Sequence, residues 1–199
     1  PLWSRGLGDV YKRQAVILFN LGIGLHQQRK IAAAIRAYRL ALQQPHAPAR
    51  EITNNLAQDL LLNGELNEGW ALYEDRFKPG QHDYFRALMG EAWAGPTQGD
   101  GLPPHLVLVA EQGLGDTLQF CRYAIDLQRQ GVRITVFCQP ALVAYLAAHS
   151  ELNEVSNSVG PEQLQPGSRW CPLMSLPHRL GSVPELGPYL SSNQDLARS

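Results

Sequence analysis

The sequence predicts an α + α/β protein, in which a helical first part precedes a parallel β-sheet covered by helices. Apolar residues recur at helical spacing through residues 15–78. After residue 105, short apolar runs alternate with helical patterns, which favours parallel strands joined by helices. The run LVLV at 106–109 leads into the glycine turn EQGLGD at 111–116, and open α/β sheets bind ligands at such strand ends.

The first residues are set aside from this prediction. Residues 4–14, SRGLGDVYKRQ, resemble the in-frame translation of a transposase adaptor from sequencing libraries. We therefore treat residues 1–14 as adaptor-derived and non-native, as one would a fusion scar. The GLGD at 6–9 then repeats the GLGD at 113–116 by coincidence, and we expect the chain to be a fragment whose natural start lies upstream.

Composition excludes several classes of function. The chain has 199 residues, 44% of them hydrophobic and 18% charged, which is ordinary for one or two globular domains. A net charge of −1 supplies no basic surface for nucleic acid. Three scattered cysteines without a CxxC pair argue against a zinc site and favour a reducing compartment, so we expect a cytoplasmic protein. No apolar run approaches the length of a membrane span.

Residues 15–78 carry a helical pattern that recurs after about 35 residues. Small residues recur (Gly22 and Ala57), as do aromatic ones (Tyr38 and Tyr73), and Pro45 stops the first pair of helices. This pattern resembles tetratricopeptide repeats, which present a groove to a peptide or pack on a neighbouring domain. Three asparagines are candidates for lining a groove: Asn20, Asn54 and Asn55.

Residues 79–104 read as a linker, because eight glycines and prolines after residue 79 oppose a long helix. Trp93 is its one large apolar residue and is expected to anchor the segment to a domain surface. Residues 105–199 then form the α/β part. Its expected strands are residues 106–110, 132–137, 153–156 and 169–171, and its expected helices are residues 116–130, 140–149 and 175–180.

The glycine turn has a chemistry of its own. Gly113 and Gly115 permit tight turning and close backbone approach, and a helix starting near Asp116 would aim free N–H groups at an anion. Asp116 with Gln119 also fits a capping box, which would explain both residues structurally. The turn is neither a dinucleotide fingerprint, since Leu118 occupies the third glycine position, nor a P-loop, since lysine is missing.

Four segments together resemble bacterial proteins that join tetratricopeptide repeats to a heptosyltransferase-like domain of glycosyltransferase family 9. They are GWALYEDRF at 69–77, WAG at 93–95, AEQGLGDTLQFCRY at 110–123 and CPLMSLPH at 171–178. The resemblance implies two Rossmann-like lobes facing a cleft, of which residues 105–199 are the amino-terminal, acceptor-side lobe, truncated. The lobe that takes most of the nucleotide sugar would be missing, so the fragment alone would be inactive.

The resemblance also assigns roles to residues. It implies an inverting glycosyltransferase with Asp116 as catalytic base and no resident cofactor or metal, the nucleotide sugar being a substrate. Expected substrate contacts come from Glu111, Gln112, Gly113, Gly115 and His178, each with a structural alternative: a solvated loop, a loop contact, a turn or a helix cap. Cys171 is expected to be a buried small side chain. The rival hypothesis is a non-catalytic scaffold that binds a protein partner through its repeats and carries a degenerate lobe.

Overall fold

The structure is a computed structural model that describes residues 2–111, 113–148, 151–152, 154–161 and 164–190, with side chains from Arg13 onward. The chain divides into two compact units, Pro1–Pro79 and Gly80–Ser199. The first unit is helical and the second contains a parallel four-stranded sheet, which confirms the predicted α + α/β class at this level. None of the described helices is long and apolar enough to cross a membrane.

The first unit consists of four α-helices and a final 3₁₀ turn, Glu74–Arg76. Connections of a few residues join α1 to α2 and α3 to α4, so each pair forms a helix hairpin, and α2 also packs on α3. The helix α1 includes residues that were set aside as adaptor-derived. The helices are α1 (Leu2–Gln27), α2 (Ile31–Leu42), α3 (Ala49–Leu62) and α4 (Leu66–Tyr73).

The two hairpin turns have the same geometry 35 residues apart. Arg29 and Gly64 both have a positive φ, 58° and 84°. The following residues, Lys30 and Glu65, have nearly equal backbone angles, and each donates its N–H to the carbonyl five residues earlier at 2.9 Å. The recurrence seen in the sequence is therefore a recurrence of backbone structure at these turns.

Small residues set the closest helix approach within the first hairpin. Tyr38 of α2 is buried, and a Cβ added at Gly22 of α1 would lie 2.6 Å from its Cδ1 and 2.8 Å from its Cζ. The ring therefore occupies the space that a side chain at Gly22 would need. Around it, α2 and α3 form an apolar cluster with Ala34, Ile35, Ala41, Ile52, Leu56 and Leu60.

The second unit is built on strands in the order β3-β2-β1-β4, all parallel. The predicted parallel sheet with alternating helices is thus confirmed, and the element ends lie within two residues of those predicted. His149 and Asn153, which the prediction placed in a helix and a strand, lie outside the described residues. The elements are α5 (Asp83–Met89), β1 (His105–Val109), α6 (Leu114–Arg129), β2 (Arg133–Phe137), α7 (Pro140–Ala147), β3 (Glu154–Ser156), β4 (Ser168–Pro172) and α8 (Leu176–Leu180).

The segment predicted as a linker belongs largely to the second unit instead. Its helix α5 buries Phe85 against Trp170 of β4, with the two ring centroids 5.6 Å apart. Trp93 is buried too, and its indole Nε1 donates to the carbonyl of Gly101 at 2.9 Å while its backbone N–H donates to Trp170. Phe85 thus packs with Val107, Val109 and Trp170 on one face of the sheet. Trp93 is 1% exposed, so it is a core residue rather than a surface anchor.

Candidate functional site

The candidate site lies at the carboxyl end of β1, where the direction of strand succession reverses. From β1 the chain proceeds to β2 and β3 on one side, whereas β4 pairs with β1 on the other side. Such a switch point leaves a crevice between the loops that follow the two central strands, and ligands of open α/β sheets bind there. In this chain the two loops are the one after β1, described at Ala110, Glu111 and Gly113, and the 3₁₀ turn Leu173–Ser175 after β4.

Glu111 connects these two loops. Its Oε1 accepts a hydrogen bond of 3.3 Å from the backbone N–H of Met174, and its side chain is half-buried. The loop after β1 is thereby tied to the loop after β4 at the crevice where the sequence placed Glu111. Gln112, the next predicted contact, lies outside the described residues.

Helix α6 begins at Leu114, two residues before the predicted start at Asp116. Gly113 is the N-cap, and Asp116 is the third helical residue, whose Oδ2 accepts the N–H of Gly113 at 3.2 Å. The expected capping box with Asp116 as cap and Gln119 as partner is therefore wrong. A carboxylate is favoured in the first turn because it faces unpaired N–H groups and the positive end of the helix dipole.

The backbone conformation does not require glycine at either Gly113 or Gly115. Gly113 has φ −68° and ψ 162°, and Gly115 lies within α6, so neither uses the left-handed region that a tight turn would demand. A Cβ at Gly115 would meet nothing within 4 Å, and one at Gly113 would make only an ordinary contact with Asp116. Both residues are exposed. The missing side chains therefore leave the first turn of α6 open to approach from outside.

Thr117 is a residue of this turn that the sequence analysis missed. It is buried, and its Oγ1 donates to Oε1 of Gln139 at 2.9 Å, just beyond β2. This bond joins the first turn of α6 to the loop after the neighbouring strand. The feature of the sequence that could have indicated this contact is a hydroxyl residue one position after Asp116, on the side of α6 that faces the sheet.

His178 lies on α8 and interacts with the 3₁₀ turn Pro96–Gln98. Its Nε2 is 3.3 Å from Nε2 of Gln98, and its carbonyl accepts a hydrogen bond of 3.1 Å from Thr97 Oγ1. The structure brings Glu111, Gly113, Gly115 and Asp116 to the end of β1, whereas these contacts of His178 are with the turn Pro96–Gln98.

A second polar cluster lies at the opposite, amino-terminal end of the strands. His105 is fully buried; its Nδ1 is 2.8 Å from Ser168 Oγ and its Nε2 is 2.9 Å from Thr135 Oγ1. Thr135 Oγ1 in turn donates to a carboxylate oxygen of Glu154 at 3.2 Å. Burial, and secondarily the charge of Arg133, lowers the pKa of His105. A neutral ring that accepts at Nδ1 and donates at Nε2 satisfies every member of the cluster.

The cysteines lack the features of nucleophiles. Cys121, Cys138 and Cys171 are all buried. Burial, and secondarily the nearby Cys138, raises the pKa of the Cys121 thiol to about 12, and burial raises that of Cys138 as well. A thiol must lose its proton to react, so these two are inert near neutral pH. Within the described residues, no group of three His, Cys, Asp or Glu side chains is placed to hold a metal ion.

Comparison with known proteins gives one informative likeness. No known protein family matches the chain, and no solved structure matches it. The chain is 33% identical over 120 residues to Protein FlbA of Caulobacter vibrioides. This match covers 59% of the present chain and 18% of FlbA, so the chain corresponds to less than a fifth of that relative.

Proposed function

We propose that the chain is part of a glycosyltransferase that moves a sugar from a nucleotide-sugar donor to an acceptor hydroxyl, with inversion at the anomeric carbon. The observation that carries this proposal is the switch point between β1 and β4, where two carboxylates and two glycines follow the end of β1. The second unit is then the Rossmann-like, acceptor-side lobe. Most of the donor would bind a second lobe beyond the present chain.

Asp116 is the proposed base. Removing the acceptor proton calls for a carboxylate that is held in place and reachable by the acceptor. Asp116 is half-buried on the first turn of α6, and one of its oxygens is fixed by the N–H of Gly113 at 3.2 Å. The bare positions Gly113 and Gly115 leave room for an acceptor beside it.

The other residues proposed to contact the substrate are Glu111, Gln112 and His178, and each has its own role. Glu111 borders the crevice and holds its two loops together through Met174, so it shapes the acceptor site. Gln112 is included on its position in the sequence between Glu111 and Gly113. A sugar contact by Nε2 of His178 requires this nitrogen to exchange Gln98 for the ligand. The proposed reaction uses no resident cofactor and no metal ion.

The helical unit is proposed to be a tetratricopeptide-type module that binds a protein partner or a protein acceptor. The repeated turn geometry at Arg29 and Gly64 supports this, as does the small-residue contact between Gly22 and Tyr38. Three scattered cysteines without a CxxC pair favour a reducing compartment, so the proposed location is cytoplasmic. Nucleic acid is not a proposed partner, since the net charge is −1.

The test separates the role of Asp116 in helix capping from its role as a base. In the complete protein containing residues 15–199, Asp116→Asn keeps an oxygen that can accept from Gly113 but cannot remove a proton. We expect its kcat with the preferred nucleotide sugar to fall by at least about 100-fold, with an unchanged melting temperature. Asp126→Asn, on the last turns of the same helix and bonded to Gln130, is the matched control and should retain activity.

Two outcomes would contradict the proposal. Full activity of Asp116→Asn would leave Asp116 as a helix cap only. A complete protein that neither turns over nor binds any nucleotide sugar in a broad panel would exclude the enzyme and favour the non-catalytic scaffold that binds a partner through its repeats.

A further inference from the structure

Helix α1 exposes an apolar surface that resembles a buried one elsewhere in the same unit. Ile17 is 64% exposed and Leu21 is 51% exposed, with Asn20 exposed between them on the same side of the helix. Large aliphatic side chains one helical turn apart form a continuous apolar strip when both are exposed. We call the surface made by Ile17, Asn20 and Leu21 the α1 strip.

The residues 35 positions later are the same three types on α3. Ile52 is fully buried, Leu56 is 3% exposed, and both pack in the cluster formed with α2. Asn55 makes a side-chain hydrogen bond with Tyr38 of α2. The α1 strip therefore repeats, residue for residue, the surface through which α3 binds α2.

The offset of 35 residues is independently established by the backbone. It relates the turn at Arg29 to the turn at Gly64, and the hydrogen bonds that close the two turns. It also relates Gly22 to Ala57, two small buried residues, of which Gly22 lies against Tyr38 of its hairpin partner α2. The α1 strip on the first hairpin therefore corresponds to the surface of α3, on the second hairpin, that binds α2.

We propose that the α1 strip is a docking surface for a helix with the chemistry of α2, belonging to a further helical hairpin that precedes α1. That helix needs small residues where Ala34 and Ala41 lie and an aromatic hydroxyl where Tyr38 lies, to meet Asn20. The proposal rests on the repeat part of the proposed function and adds the partner surface. It does not depend on glycosyl transfer by the second unit.

The test supplies this helix from the protein itself. In the full chain, residues 1–13 are replaced by a copy of residues 31–48, so that the copied α2 and its loop run into Gln14 as they run into Ala49 in the native order. We expect hydrogen exchange of the amides of residues 15–25 to slow by at least about 10-fold, and the melting temperature of the helical unit to rise by about 5–10 °C.

Matched variants locate the effect. Ile17→Asn with Leu21→Gln should abolish the gain in the chimaera, yet change the parent chain little because both side chains are exposed there. Val16→Gln should keep the gain, since Val16 is exposed but corresponds to Glu51, which is exposed on α3.

Several results would overturn the proposal. They are a copied helix that leaves α1 exchange unchanged, a double variant that keeps the gain, and a chimaera less stable than the parent. A parent chain that sediments as a dimer, and becomes a monomer in the double variant, would show instead that the α1 strip binds a second copy. Each of these results concerns the helical unit alone, so none of them decides the enzymatic proposal, which is measured on Asp116.

Discussion

Two glycines of α1 should respond in opposite directions to the same substitution. Gly22→Ala places a Cβ 2.6 Å from Cδ1 and 2.8 Å from Cζ of Tyr38, whereas Gly24→Ala places one where no atom lies within 4 Å. Both positions are in the interior of the same helix, so the change in helix propensity is equal for the two variants. The difference between them therefore isolates the packing against Tyr38.

The size of each effect follows from these distances. Ordinary carbon–carbon contact is about 3.5–4.0 Å, so the Tyr38 ring must retreat by about 1 Å in Gly22→Ala. The ring is 1% exposed and lies beside Phe19, with centroids 6.0 Å apart, so the shift disturbs a packed cluster at a cost of about 1–3 kcal/mol. The propensity gain of about 0.5–1 kcal/mol offsets part of this. We expect Gly22→Ala to lower the free energy of unfolding by about 0.5–2 kcal/mol and Gly24→Ala to raise it by about 0.5–1 kcal/mol.

Thermal and urea unfolding of the 199-residue chain, followed by circular dichroism at the helical band, measures both variants against the parent. A change of this size moves the melting temperature of a unit of about 60–100 residues by several degrees. If both variants stabilise the chain equally, Tyr38 does not pack on Gly22 as described, and the helix pairing in the first hairpin is refuted.

Three further predictions concern the second unit. Gly115→Ala should raise its free energy of unfolding by about 0.5–1 kcal/mol, since the residue is helical and its Cβ meets nothing; a loss of stability in urea unfolding would contradict the open first turn of α6. The pKa of His105 is lowered from 6.5, so below about pH 6.5 the unfolded chain binds more protons than the folded chain, and the free energy of unfolding should decrease as the pH falls. His105→Gln should flatten that decrease. An identical pH profile for the two proteins would argue against a buried neutral ring. Trp93→Phe should lower the free energy of unfolding by about 1–3 kcal/mol, and the melting temperature by several degrees, because it removes the indole hydrogen bond to Gly101 and leaves unfilled volume around a side chain that is 1% exposed. An unchanged melting temperature would mean that residues 80–104 lie outside the cooperative unit.

The strands of the second unit were predictable because each carries a local signal. Apolar runs coincide with β1, which is buried along its whole length, and with the buried centre of β2. Their alternation with helices predicts the parallel arrangement. The bonds between loops had no such signal. Glu111 and Met174 are 63 residues apart, and only the folded sheet brings the ends of β1 and β4 together.

Two errors have local physical causes. The start of α6 was placed too late because glycine is unfavourable within helices, whereas Gly113 serves as the N-cap and Gly115 lies inside the first turn despite that cost. Residues 79–104 were taken as a linker because of their glycine and proline content. The short helix α5 exists there because Phe85 packs against Trp170, a contact between residues distant in sequence that no local pattern reports.

The polar cluster around His105 also determines which alignments of the strands are possible. β1 and β4 pair directly although their first residues, His105 and Ser168, are 63 positions apart, so chain connectivity alone leaves their alignment open. Sliding either strand by one residue would turn its side chains to the opposite face and leave the imidazole buried without partners. Apolar neighbours would tolerate such a slip more readily than hydrogen-bonded ones. The hydrogen bonds of His105 therefore fix the register of β1 with β2 and β4. A fixed register also keeps the carboxyl ends of β1 and β4, and the loops that follow them, in alignment.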